Sequence, residues 1–464
     1  MASAASNGTG RAPADPRAAR TFVFTSCAYD PATGVARLGY RFDAGPELVE
    51  RITFPHAPWP SEPTRQAAFL RLLDLLHAVA GVSYYKAGLP RSIRFERPGI
   101  GRGIGDFLRG LYVGGLAELG YVNGVDIESR VRFPTTGSAS PEATIPLDLP
   151  ARALVAVGGG KDSLVGLDLA RRADLEPQAI TVGESVMIGE MANALGLPLL
   201  RIRRELAPEL RAMNRAGAWN GHVPVTAINS AILLCAALLY GYRQVVFSNE
   251  RSADEATLIA DDGREVNHQF SKSSAFEAAL RRVLRRTISP DLDYFSILRP
   301  FSELAVVQQF SAMTNCHDVF SSCNRHFHLD GPRVQGRWCL DCPKCRFAAL
   351  SLAVFLRPPE VAAIQGADLL DDQRQVDGFR ALCRLGRDKP FECVGEAGES
   401  RAALDALSRD PDWRDRAVVR SLSPELEGVD VPAMAGLLQP GRRHFIPPGI
   451  CARLGLPESG HAAG

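Results

Sequence analysis

Between residues 153 and 248, short apolar runs alternate with longer amphipathic stretches. Ala153-Leu154-Val155-Ala156-Val157 has no polar break and ends at Gly158-Gly159-Gly160. A short apolar run closed by glycines predicts a strand buried on both faces. The same pattern predicts strands over 178–182, 199–202 and 244–248, and helices over 162–171, 186–195 and 225–240. This alternation implies an α/β class with a parallel sheet and helices on both faces. Ligands of such sheets bind beyond the carboxyl ends of the strands, and the triple glycine lies at the first of them.

The flanks read differently. Residues 21–55 alternate apolar and polar positions around a turn at Asp30-Pro31-Ala32-Thr33-Gly34, predicting a small β-meander. Helical periodicity follows over 67–80, and Gly99, Gly101, Gly103 and Gly105 predict a flexible turn before a helix over 107–119. Residues 1–20, rich in Ala, Ser, Gly, Pro and Arg, predict a disordered tail rather than a signal peptide. The organisation is therefore a 1–20 tail, a 21–145 α+β domain, a 151–356 central domain and a mostly helical 357–464 region. The most apolar stretch, 223–240, holds Thr226, Asn229 and Ser230, which predicts a buried helix rather than a membrane span.

Composition narrows the partners. The 464-residue chain is 46% hydrophobic and 23% charged, with net charge +1. No basic field marks nucleic acid as a partner and no segment marks a membrane, so a cytoplasmic enzyme is expected. Only five of the 53 basic residues are lysines: Lys86, Lys161, Lys272, Lys344 and Lys389. Where arginine is the default, a retained lysine points to a site that needs a compact ammonium.

Lys161 follows the glycines, in Gly158-Gly159-Gly160-Lys161-Asp162-Ser163. Glycines let the backbone approach a ligand, and a helix amino end presents N–H groups to an anion. The segment is not a Walker A loop. It resembles the SGGxDS loop of the ATP-pyrophosphatases, with Gly158 where that family has serine. The resemblance implies a nucleotide-binding (HUP/PP-loop ATPase-like) domain that cleaves ATP to AMP and pyrophosphate. Backbone N–H groups and Ser163 would hold phosphate, Lys161 would neutralise it, and Asp162 would hold Mg²⁺.

Cys339-Leu340-Asp341-Cys342-Pro343-Lys344-Cys345 gives two overlapping CxxC steps, and Cys323 lies upstream. Four thiolates so spaced predict a tetrahedral metal site, with Zn²⁺ as the usual occupant and an iron–sulfur cluster or free thiols as the alternatives. A similar four-cysteine site follows the nucleotide domain of 7-cyano-7-deazaguanine synthase. Segments 219–226, 248–254 and 266–273 are too polar and punctuated for core, and the first two, which adjoin the predicted sheet, are expected to form active-site walls.

With these segments, the glycine loop, the cysteines, Gly81-Val82-Ser83-Tyr84-Tyr85-Lys86 and Lys389-Pro390-Phe391-Glu392-Cys393, the chain resembles the UDP-N-acetylmuramoyl-L-alanyl-L-glutamate epimerase family. The resemblance implies ATP- and Mg²⁺-dependent inversion of a terminal L-Glu on a UDP-linked muramoyl dipeptide. It also implies coupling to the muramoyl-L-alanine:L-glutamate ligase. Adenylation of the carboxylate removes its charge and makes the α-proton acidic, as an acyl-AMP or after cyclisation to an oxazolone. The proton-transfer candidates are His268, Lys272, His222 and Cys393, with Arg251 and Arg325 as cations for the substrate. The competing readings are another ATP-pyrophosphatase, making a nitrile or thiolating tRNA, and a nucleotide-binding regulator.

Overall fold

The computed structural model describes residues 15–97, 100–136, 143–256, 258–259, 263, 265–327, 334, 336–386, 389–390, 392 and 394–460. A single sheet of nine strands organises them. Strands β1 (Thr21–Asp30), β2 (Val35–Phe42), β3 (Leu48–Thr53) and β4 (Ser92–Phe95) come from the first part of the chain. Strands β5 (Ala153–Ala156), β6 (Pro177–Val182), β7 (Leu199–Glu205), β8 (Gln244–Phe247) and β9 (Asp293–Ser296) follow. Their spatial order is β9-β8-β5-β6-β7-β3-β2-β1-β4.

The strands from β9 to β7 are mutually parallel, as the alternating pattern predicts. The expected meander is also present: β1, β2 and β3 pair antiparallel. It continues the same sheet, because β3 pairs antiparallel with β7 at Ile52↔Arg204. The Arg204 side chain locks this seam, donating to the buried Glu50 carboxylate at 2.8 Å and to the Ser83 hydroxyl at 3.0 Å.

Helices cover both faces. On one side, α1 (Pro63–Ala80) and α6 (Val225–Tyr240) share a core. Between them in sequence lie α2 (Arg102–Gly115), α3 (Ala117–Asn123), α4 (Lys161–Arg172) and α5 (Val186–Ala194), besides the short helices Val82–Tyr85 and Pro208–Arg215. Then come α7 (Ser274–Val283), α8 (Glu303–Ser311) and α9 (Pro343–Ala353). Helices α4, α8 and α9 form the second core with the helical C-terminal region. Residues 63–85 are long and apolar enough to cross a membrane, but 78% of their apolar 18-residue window is buried inside the molecule. Helix α6 is likewise a core helix.

Three local expectations change. Gly103 and Gly105 lie inside α2 rather than in a flexible turn. A Cβ on Gly105 would meet the Thr135 side chain at 2.4 Å, so this glycine serves close packing. The helix expected over 107–119 is interrupted at Leu116, where α2 ends and α3 begins. Residues 15–20, assigned to the tail, include the 3-10 turn Pro16–Ala18 with Pro16 buried; residues 1–14 lie outside the described residues. Strand β9 has only Asp-Tyr-Phe-Ser to announce it, and pairing with β8 makes it a strand.

Candidate active site

The glycine loop joins β5 to α4 at the carboxyl edge of the parallel strands. Gly159 has φ +83°, a left-handed conformation that a side chain would strain. Gly160 is the N-cap of α4, and no side chain caps the first turn. The leading N–H groups are therefore open to an anion. The Ser163 hydroxyl donates to the Gly160 carbonyl at 2.9 Å. Beside the loop lies a cavity of about 430 Å³, within the range of small-molecule sites. Gly158, Gly160, Asp162 and Ser163 line it, together with Thr181, Ser185, Asn229, Ser248, Asn249, Ser322, Lys272 and Lys344. Nothing lies within 4 Å of a Cβ built on Gly158, so the family's serine would fit there. Ser185 and Ser322 line the same cavity.

Lys161 is placed behind the loop rather than in the cavity wall. Its side chain is 6% exposed, and its ammonium pairs with Asp162 at 2.5 Å and with Glu303 of α8. Burial alone would lower its pKa, but the two carboxylates override burial and raise it. Burial pushes the Glu250 carboxyl up, with Asp162 adding to the effect. Among the described residues, the lysines that line the cavity are Lys272 and Lys344.

A second group of titratable side chains lies next to Lys272. His268 Nδ1 pairs with the Glu118 carboxylate of α3. The His222 ring stands 4.2 Å from that of His268, centroid to centroid. Burial lowers the His222 pKa to about 4, helped by His268 and by the nearby Lys272 charge. His222 is therefore neutral at physiological pH. The three expected groups His268, Lys272 and His222 are thus brought together, and Cys393 lies outside the described residues. Arg299, 2% exposed, underpins this corner. It donates to the Lys272 carbonyl, to the Glu250 carbonyl at 2.9 Å and to the Glu277 carboxylate at 3.1 Å. Lys86 donates to the Asn220 side chain at 2.7 Å, two residues before His222, and burial lowers its pKa to about 8. Arg251 pairs with Glu396 at 3.6 Å and Arg325 with Asp341 at 2.7 Å, so both expected substrate cations already have protein partners.

Glu118, Glu303 and Arg299 carry no functional signal in the sequence. Glu118 lies in Leu116-Ala117-Glu118-Leu119, an ordinary helical context 150 residues from its histidine. Glu303 and Arg299 likewise sit in segments with no motif.

The sulfurs of Cys323, Cys339, Cys342 and Cys345 all lie within 4.8 Å of one another. Cys339 and Cys345 are 3.7 Å apart and Cys342 and Cys345 are 3.5 Å apart. A tetrahedral Zn²⁺ with bonds of about 2.3 Å sets sulfur separations of about 3.8 Å, so the residues present fit the metal. Cys316, His317 and His326, near in sequence, are not part of the group, and His328 lies outside the described residues. The cluster frames the cavity directly. The Ser321 N–H donates to the Gly159 carbonyl at 3.2 Å, and Lys344 sits between two of the cysteines.

Fold and site together define an α/β protein with a polar-lined cavity at the carboxyl edge of a parallel sheet, beside a four-cysteine cluster. The chain belongs to the MurL family: the MurL N-terminal domain matches residues 13–297 and the MurL C-terminal domain residues 319–435. A relative from Xanthomonas oryzae pv. oryzae is 46% identical, covering 94% of this chain and 96% of its own. A Micromonospora relative is 41% identical over 92% and 96%, and one from Salinispora tropica 40% over 94% and 95%. All three carry the name UDP-N-acetyl-alpha-D-muramoyl-L-alanyl-L-glutamate epimerase. The resemblance read from the sequence is borne out.

Proposed function

We propose that this chain inverts the terminal L-Glu of UDP-N-acetylmuramoyl-L-alanyl-L-glutamate to D-Glu, using ATP and Mg²⁺. The observation that carries the reading is the shared position of Lys272. It lines the cavity of the glycine loop and lies beside the His222, His268 and Glu118 group.

A carboxylate oxygen of glutamate attacks the α-phosphorus of ATP. The bond to the bridging oxygen breaks, pyrophosphate leaves and an acyl-AMP forms. The N–H groups around Gly158, Gly159 and Gly160, with Ser163, hold the phosphates, and Lys344 supplies a facing cation. Asp162 would hold Mg²⁺, whose charge offsets that of the leaving pyrophosphate. Lys161 keeps Asp162 and Glu303 in place. The neutral acyl group now lets the α-proton leave. His268, oriented by Glu118, and Lys272 serve as the base and acid that remove the proton from one face and return one to the other. Water then cleaves the acyl-AMP to AMP and the D-Glu carboxylate. The four cysteines would hold a structural Zn²⁺ that fixes Ser321, Ser322 and Lys344 against the loop. The substrate is the product of a muramoyl-L-alanine:L-glutamate ligase, so the two enzymes would act in sequence.

The test is incubation with ATP, Mg²⁺ and the UDP-linked dipeptide in D₂O. The reading expects AMP, pyrophosphate, D-Glu and one solvent deuterium at the α-carbon. The Asp162→Ala variant should form none of them. Inversion without ATP consumption, or AMP without inversion, overturns it.

A further inference from the structure

Helix α7 carries a charge pattern that the phosphate loop does not use. Arg281, Arg282, Arg285 and Arg286 recur at helical spacing along α7 and the turn after it, and line a groove of about 810 Å³. Arg443 joins them from the C-terminal segment, and Phe445, Ile446 and Pro447 form an apolar wall. Five guanidiniums on one groove, in a chain of net charge +1, are a local concentration of charge. Arg281 is built into the wall: it donates to the Tyr294 carbonyl at 2.5 Å and packs 5.3 Å over the Phe445 ring. Of the two carboxylates on the groove, Asp293 faces Arg243 at 4.0 Å and Glu458 is exposed. Arg282, Arg286 and Arg443 are exposed and enter no ion pair among the described residues.

We propose that this groove binds the nucleoside-diphosphate end of the substrate, a step that rests on the substrate reading above. Guanidinium forks match phosphate oxygens two at a time, and the apolar wall suits a flat base. The position fits as well. The groove begins at Ser274, two residues from Lys272 of the first cavity. From Ser274 to Arg286 the helical rise carries the chain roughly 15–18 Å. A muramoyl dipeptide places a sugar, a lactyl group and an alanine between its diphosphate and the reacting glutamate. Such a substrate needs an anion site well removed from the proton-transfer groups.

The experiment is calorimetric titration of the full chain with UDP, alongside Arg282→Gln/Arg286→Gln and Arg282→Lys/Arg286→Lys variants of unchanged Tm. Wild type should bind UDP at one site that ATP does not compete for, more weakly as salt rises. The Gln pair should bind UDP at least about tenfold more weakly, the loss of one charge-assisted phosphate contact. Its KM for the UDP-linked dipeptide should rise in step while kcat and the KM for ATP hold. The Lys pair should fall between. Undiminished UDP binding in the Gln pair, competition by ATP, or no UDP binding by wild type overturns the groove assignment. Epimerisation with UDP binding unaffected in the Gln pair sinks the groove alone. Groove-dependent UDP binding without any epimerisation sinks the functional reading alone.

Discussion

At the scale of single residues, position in space separates side chains that look alike in sequence. Lys161 and Lys272 both sit in polar segments. One is held by carboxylates behind the loop and the other lines the cavity. His268 gains its meaning from Glu118, a residue of α3 that carries no signal of its own. Glu118→Gln should therefore slow α-proton exchange by about 10²-fold, the usual worth of a positioned proton-transfer group, and leave pyrophosphate release intact. Deuterium incorporation measured beside AMP formation separates the two steps. Unchanged exchange in both Glu118→Gln and His268→Asn removes His268 from the mechanism. His77 yields a pH prediction. Burial lowers its pKa from 6.5 to about 4, only partly offset by its 2.8 Å contact with the Gly39 carbonyl. The unfolded chain takes up the proton below 6.5 and the folded chain does not. The stabilisation is complete above pH 6.5 and is lost as pH falls toward 4, at a cost of roughly 3 kcal/mol. Tm should fall across that window, and less steeply in His77→Gln.

At the scale of elements, the four sulfurs bring Cys323 against the start of α9, where Cys345 lies. Purified protein should contain about one equivalent of zinc, the load of one closed tetrahedral site. Cys345→Ser should lose the metal and lower Tm. Because Ser321 and Lys344 are tied to the same knuckle, its KM for ATP should rise with metal loss. Metal analysis of the variant alongside nucleotide titration checks this. A full zinc load in Cys345→Ser rules out this cysteine as a ligand. Elements with a strong pattern were legible: helix α6 runs over the residues its periodicity predicts, and β5 ends one residue early. Strand β9 was not, because four residues carry too little periodicity to separate a strand from a loop.

At the scale of the whole molecule, the N-terminal strands and the parallel strands form one sheet, and α1 packs in a common core with α6. The seam is guarded by a buried ion pair, with Glu50 0% and Arg204 12% exposed. Removing one member leaves the other charge buried without its partner. Glu50→Gln should lower stability by about 3–5 kcal/mol, read from denaturant unfolding. A change below about 1 kcal/mol would mean that water reaches the seam, as it does for exposed pairs. A fragment beginning at residue 151 would expose the β7 edge and the α6 face, and should aggregate rather than fold.

The sequence by itself determined the α/β alternation, the glycine-rich strand-to-helix turn, the four-cysteine set and the family resemblance. All of these rest on local periodicity, backbone freedom or ligand spacing, which a chain carries in its order. The tertiary structure decided which groups meet. It set Glu118 against His268 and Glu303 against Lys161. It turned Lys272 and Lys344 toward the cavity, and it gathered the α7 arginines with Arg443 in one groove. These contacts join residues far apart in the chain, and their energies come from burial and pairing that exist only once the sheet has closed.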